Sequence, residues 1–234
     1  RYLLAKRQQN AINVITFISL VVIAVVTAAM VVVLSALNGI NELVDQLYSP
    51  FDQDITITPA TGKTMERSAL ALDSLLGLPE VASASWTIEE NVLLRCGDQQ
   101  AVATLKGIEQ QYLAMSRLTE HLFSGKAELE GRTGPTAILG IALKVDLDVP
   151  LDDGITHPLE ISAPVRGRKL SRDKQGAFET TAVGVSGSFS MNMEFDAKYA
   201  VVPLDLAASL LHYDSAVSAL ELQLAPGISM DRMA

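Results

Sequence analysis

Residues 14–37 read VITFISLVVIAVVTAAMVVVLSAL, and the uncharged stretch around them extends from residue 8 to residue 41. A helix of that length is about 36 Å long, enough to cross the roughly 30 Å hydrocarbon core of a bilayer. In lipid the backbone must satisfy its own hydrogen bonds, so the run is expected to be helical despite its many β-branched residues. A fully buried soluble helix would need a larger domain around it than this chain offers. A cleaved signal peptide is the competing reading, but its apolar region would span only about 7–15 residues. Leu37, Ile40, Val44 and Leu47 continue at helical spacing, which predicts a stalk that Pro50 ends. Residues 1–50 are therefore expected to form an N-terminal tail, a transmembrane helix and its stalk.

The flanks give an orientation. Arg1, Lys6 and Arg7 precede the run, and the first charges after it are Glu42 and Asp45. Basic flanks stay in the cytoplasm, so the N-terminus is expected inside and the chain after about residue 42 outside. All 27 acidic residues follow position 41, with 15 of the 18 basic ones, so that part carries −12. Such a charge argues against nucleic acid and against docking flat on anionic lipid. The single cysteine, Cys96, excludes an internal disulfide framework and is expected to be a small buried hydrophobe. With no initiator Met, and with residues 233–234 opening what reads as a helix, the chain is expected to be a fragment of a longer protein.

Past the stalk the pattern alternates between strand and helix signals. Residues 54–58 read as a strand and 67–76 as an amphipathic helix stopped by Gly77 and Pro79. Residues 81–88, 92–96 and 101–108 read as three strands, with turns at 89–91 and 97–98. Residues 109–123 are short and helical or irregular. Further strands are expected at 137–139, 159–163, 178–187, 200–202 and 216–224, with helices at 140–145 and 204–211. The order indicates an α+β fold, with helix packed on a mostly antiparallel sheet.

One segment breaks the acidic pattern: Arg166, Arg168, Lys169, Arg172 and Lys174 fall between two predicted strands. They fit a solvated hairpin tip whose cations keep the edge from pairing. They equally fit a contact loop for an acidic or carbonyl-rich partner.

Apparent catalytic motifs fail on their spacing. Gly62-Lys63-Thr64 lacks the preceding Gly of a phosphate loop, and Ser186 lacks the final Gly of a nucleophile elbow. His121, His157 and His212 are isolated in sequence, and Glu89-Glu90 falls in a predicted turn. No metal, cofactor or catalytic set is expected, and the chain is read as a non-enzyme.

The pieces resemble the lipoprotein-releasing (LolC/LolE-like) permeases of the MacB/FtsX superfamily. The resemblance is carried by Asn10-Ala11-Ile12-Asn13 before the apolar run, 33–39 (VLSALNG) at its end, 51–59 (FDQDITITP), Phe195-Asp196 and 198–204 (KYAVVPL). Gln53 departs from the Pro that the family often carries. The resemblance implies a non-catalytic ABC-transporter permease of the bacterial inner membrane, driven by a cytoplasmic ATPase and paired with a second permease subunit, alike or different. It would extract lipoproteins and pass them to a periplasmic carrier. It also implies a two-lobed MacB-like periplasmic domain: a mixed α/β lobe at 51–135 resumed at 215–234, and an inserted β-rich lobe at 136–214. In this family a hairpin near the five cations captures the carrier, although the loop here looks shorter. Ala24 and Ala28, like Ser35 and Gly39, are small residues four apart that suit close helix packing. Leu34, Leu37 and Ile40 would then face the substrate-entry side, or simply lipid. An efflux- or wall-hydrolase-linked permease of the MacB or FtsX kind is the alternative, and a single-pass binding module without an ATPase is a third.

Overall fold

A computed structural model describes residues 10–47, 51, 53–152, 156–164 and 178–225, with side chains from residue 13 to 40 in the first stretch. Two units are present, Arg1–Tyr48 and Ser49–Ala234. In the first, α1 (Asn10–Leu47) runs for 38 residues, about 57 Å at 1.5 Å per residue. Its stretch Asn13–Ile40 has a mean hydropathy of 3.0, and none of it is buried against the rest of the protein. Ser19 Oγ and Thr27 Oγ1 donate to the carbonyls of Ile15 (2.9 Å) and Ile23 (2.8 Å), so these hydroxyls are satisfied within the helix. A helix this apolar and this exposed is at home in lipid rather than in water.

The second unit runs β1 (Ile55–Ile57), β2 (Met65–Glu66), α2 (Leu72–Leu76), β3 (Val81–Cys96), β4 (Gln99–Ile108), α3 (Tyr112–Met115) and β5 (Leu122–Gly125). It continues with β6 (Thr136–Gly140), α4 (Ile141–Asp146), β7 (Leu159–Pro164), β8 (Phe178–Phe189), α5 (Met193–Lys198), β9 (Tyr199–Pro203) and α6 (Leu204–Leu211). Two short strands close it, β10 (Ala216–Val217) and β11 (Ala219–Leu224).

Nine of these strands form one sheet among the described residues. The path is β1-β11-β3-β4-β9-β6-β8-β5, and β7 pairs with both β3 and β8. Hydrogen bonding therefore closes a ring through β3, β4, β9, β6, β8 and β7. Two long strands make the closure possible. β3 faces β11 over its first half and β7 at residues 93–95. β8 faces β7 at residues 178–183 and then β5. Inside the ring, Leu94, Leu105, Leu139, Leu159 and Val202 are buried with Leu210 of α6. A second cluster on the opposite face gathers Phe51, Ile108, Tyr112, Leu118, Phe189 and Val201. At two points the backbones touch: a Cβ on Gly107 would lie 2.5 Å from Ala207 Cβ, and one on Gly140 would lie 2.2 Å from the Asp196 carbonyl oxygen.

Several expectations change. The strands expected at 81–88 and 92–96 are one strand, because Glu89 and Glu90 find partners across the sheet instead of turning. The helix expected at 67–76 shrinks to a 3₁₀ turn (Arg67–Ala69) and α2. The sheet is mostly antiparallel, as expected, and its parallel pairs among the described residues are β4–β9 and β6–β8, which the intervening crossovers permit. α5 was not expected from the sequence; Asn192 caps it, its Oδ1 accepting from Glu194 N (3.1 Å) and Phe195 N (3.0 Å). The stretches 51–135 and 136–214 share the one sheet, through β4–β9 and β3–β7.

Candidate functional site

The chain's most unusual chemistry is a lysine inside the sheet. Strand residues alternate between faces. In β4, Ala103 and Leu105 join the ring interior, so Lys106 turns to the opposite face with Thr104 and Ile108. Register places Glu89 of β3 directly across from Lys106, and Glu221 of β11 across from Ser85 of β3. The Lys106 side chain is 3% exposed and its ammonium lies 2.7 Å from both Glu89 Oε1 and Glu221 Oε1. Glu221 is equally buried, at 5%, whereas Glu89 keeps 38% of its side chain in solvent.

Around this pair the second carboxylate is fully engaged. Glu221 Oε1 also accepts from Thr87 Oγ1 at 3.0 Å. The Tyr112 hydroxyl lies 2.6 Å from Glu221 Oε2 and 2.8 Å from the carbonyl oxygen of Phe51, with its one proton between them. The ammonium stands 5.5 Å from the Phe51 ring centre and 5.4 Å from that of Tyr112, within reach of the ring quadrupoles. Phe51 is itself clasped by Phe189 edge-on at 5.6 Å, Tyr199 at 5.4 Å and Phe195 at 5.9 Å.

Electrostatics fix the protonation states. Burial pulls the Lys106 ammonium downward, but the carboxylates of Glu221 and Glu89 beside it overcome that pull and hold it above the ordinary lysine range. Burial raises the Tyr112 phenol and the Glu221 carboxylate raises it further, outweighing the pull of Lys106. Both groups stay protonated at neutral pH, so neither serves as a base or nucleophile. A buried ion pair stabilises a fold little more than apolar side chains of the same volume would. What this one adds is direction: it joins β4 to β3 through Glu89 and to β11 through Glu221, at defined distances.

The residues singled out from the sequence fall elsewhere. Arg166, Arg168, Lys169, Arg172 and Lys174 lie outside the described residues. The strands that flank them do pair, with Pro164 of β7 opposite Phe178 of β8. A shallow groove lined by Leu93, Arg95, Glu160 and Phe178 opens beside that end of the hairpin, crossed by an Arg95–Glu160 ion pair at 2.6 Å. Ala24, Ala28, Leu34, Leu37 and Ile40 are all exposed on α1. Cys96 is buried, and burial first, then Asp152, Asp148 and Glu160, push its thiol up. Ser186 sits in mid-strand and gives its hydroxyl to the Glu128 carbonyl at 2.7 Å. Glu90, placed in a turn by the sequence reading, instead accepts from Lys63 at 3.0 Å and from the Tyr213 hydroxyl at 3.2 Å. His157 and His212 are less isolated than their sequence spacing implied, each lying 3.6 Å from one carboxylate, of Asp152 and Glu179. Lys106 and Glu221 escaped notice, although a signal existed: each is the one charged residue of its strand, and the two have opposite sign.

Residues 16–234 match the family described as the MacB-like periplasmic core domain. Over 233 residues the chain is 26% identical to the lipoprotein-releasing system transmembrane protein LolE of Haemophilus influenzae, which covers 96% of this chain. The chain spans about half, 53%, of that curated relative's length. The fold is similar to the periplasmic region of MacB from Actinobacillus actinomycetemcomitans, with 14% identity, a TM-score of 0.50, and 76% of this chain and 77% of that one covered. The extracellular domain of the noncanonic ABC-type transporter YknZ from Gram-positive bacteria aligns with 14% identity and a TM-score of 0.49 over 74% and 79% of the two chains. Since the family match runs from inside α1 to the last residue, the chain belongs to the MacB-like periplasmic core domain family.

Proposed function

We propose that this chain is the first membrane helix and periplasmic domain of an ABC-transporter permease that extracts lipoproteins from the bacterial inner membrane. The observation that carries this reading is the similarity to LolE, which extends through both the apolar helix and the domain. In this reading the chain performs no chemistry. A cytoplasmic ATPase supplies the work, a second permease subunit packs beside this one, and the domain passes cargo to a periplasmic carrier. The N-terminus is cytoplasmic, as Arg1, Lys6 and Arg7 favour. The small residues Ala24 and Ala28 suit contact with a partner helix, and Leu34, Leu37 and Ile40 line the side where a lipid-bearing substrate enters. The five cations at 166–174, carried between β7 and β8, are the contact for the carrier. The stretches 51–135 with 215–234, and 136–214, act as the two lobes, joined through the shared sheet.

Depletion of the protein tests the cargo. Lipoproteins are expected to accumulate in the inner membrane. Unchanged lipoprotein sorting would refute the reading and favour an efflux- or hydrolase-linked permease of the same fold. A crosslinker placed at position 168 or 172 is expected to capture a periplasmic carrier during ATP turnover. No capture would reduce the loop to a solvated hairpin tip.

A further inference from the structure

The second unit carries an apolar tip. Leu72 and Leu75 of α2 pack against the main core. Leu76 and Leu78, on either side of Gly77 at the end of α2, do not: they stay 45% and 41% exposed, with Pro79 exposed beside them. The other exposed large apolar side chains of this unit, among the described residues, stand singly in sequence. Single exposed apolar residues are ordinary, whereas neighbouring ones rimmed by polar groups mark a contact surface.

The tip lies where the chain of this unit begins and ends. Val81 N donates to the Leu78 carbonyl at 3.1 Å, and Ala225 N to the Glu80 carbonyl at 2.8 Å. Leu224 stands opposite Val81 in the sheet, and its main-chain nitrogen donates to Asp54 Oδ2 at 2.7 Å. Asp54 leads into β1, and Ala225 is the last described residue. Between Leu47, where α1 ends, and Asp54 lie residues 48–53, a length of chain that reaches at most about 25 Å. The far end of the sheet is more remote: β3 rises about 40 Å from Val81 to Leu93, which pairs with Val102 of β4. So short a tether to a lipid-spanning helix favours the Asp54 end as the one that meets the bilayer. Asp54, Asp73 and Glu80 adjoin the tip in the chain or the fold, and their charges oppose an anionic surface.

We propose that Leu76, Leu78 and Pro79 form a docking tip that inserts into the headgroup region of a zwitterionic lipid surface. The proposal rests on the permease reading above, in which α1 spans the inner membrane. Apolar side chains that enter this region are removed from water while the polar backbone beside them stays solvated.

The test uses the full-length permease, assembled with its ATPase and second subunit in nanodiscs of zwitterionic phospholipid, without ATP or cargo. A nitroxide is attached through Leu78→Cys, and separately through Val102→Cys, which replaces a side chain that is 72% exposed at the far end of the sheet. Collisions with oxygen, which concentrates in lipid, are compared with collisions with a water-soluble nickel chelate. Position 78 is expected to favour oxygen and position 102 the chelate. A preference for the chelate at position 78 would overturn the proposal, as would the same preference for oxygen at both positions. Position 78 closed to both reagents would also overturn it, because a protein surface then covers the tip. The outcome is separable from the cargo reading. If depletion leaves lipoprotein sorting unchanged while position 78 favours oxygen, the cargo reading falls and the docking tip stands. If lipoproteins are stranded on depletion while position 78 favours the chelate, the cargo reading stands and the tip falls.

Discussion

Replacing Lys106 with Met removes the cation and keeps most of the volume. Glu221, 5% exposed, is then left beside Thr87 and Tyr112 with no counter-charge. Breaking a buried pair from one side costs about 3–5 kcal/mol. The lost approach of the ammonium to the rings of Phe51 and Tyr112 lies within that range rather than adding to it in full. For a unit of this size, each kcal/mol moves the unfolding midpoint by about 2–4 °C. Lys106→Met should therefore lower the melting temperature by about 6–20 °C. Glu221→Gln should cost less, about 1–3 kcal/mol, because Lys106 retains Glu89, which is 38% exposed and solvated. The double variant should be more stable than the sum of its parts by about 2 kcal/mol or more, since no buried charge is left unpaired. The assay is thermal unfolding of the protein in nanodiscs, followed by a signal from the domain. A Lys106→Met variant within about 1 kcal/mol of wild type, or strict additivity in the double variant, would refute the buried-pair argument.

Lys106 and Tyr112 both bind their protons more tightly in the fold than in the unfolded chain. Their contribution is full below the unfolded values of roughly 10 and is lost as pH rises through the folded values. Stability measured by urea unfolding should therefore begin to fall above about pH 10, and the fall should be shallower in Tyr112→Phe; an equally steep fall would refute the assignment. Gly140→Ala would place a Cβ 2.2 Å from the Asp196 carbonyl oxygen and 2.6 Å from its Cα. Backbone cannot yield as a side chain does, so a loss of about 1–3 kcal/mol or more is expected, and a neutral substitution would show that β6 and α5 are packed less closely than described.

Much of the architecture was legible because it rests on local pattern. The run at 14–37 needs only length and hydropathy to declare a bilayer span, and α1 follows it to Leu47. Strands β7, β8, β9 and β11 carry alternating or β-branched runs bounded by turn residues, and α6 opens after Pro203. The reading failed where a tertiary partner reversed a local preference. Glu89-Glu90 looks like a turn until Lys106, Lys63 and Tyr213 are seen to receive the two carboxylates. The segment 67–76 has helical spacing, yet only its last turn becomes α-helix.

The sequence alone determined that this protein has an apolar helix long enough to span a bilayer, followed by an acidic α+β domain, because hydropathy and periodicity act over neighbouring residues. Only the tertiary structure decided that the sheet closes on itself through β7, and that Lys106, Glu221, Tyr112 and Phe51 meet. The outermost of those four residues lie 170 positions apart in sequence, and nothing local to any one of them specifies the others. Their meeting depends on strand register, and register is set by the packing of the whole sheet.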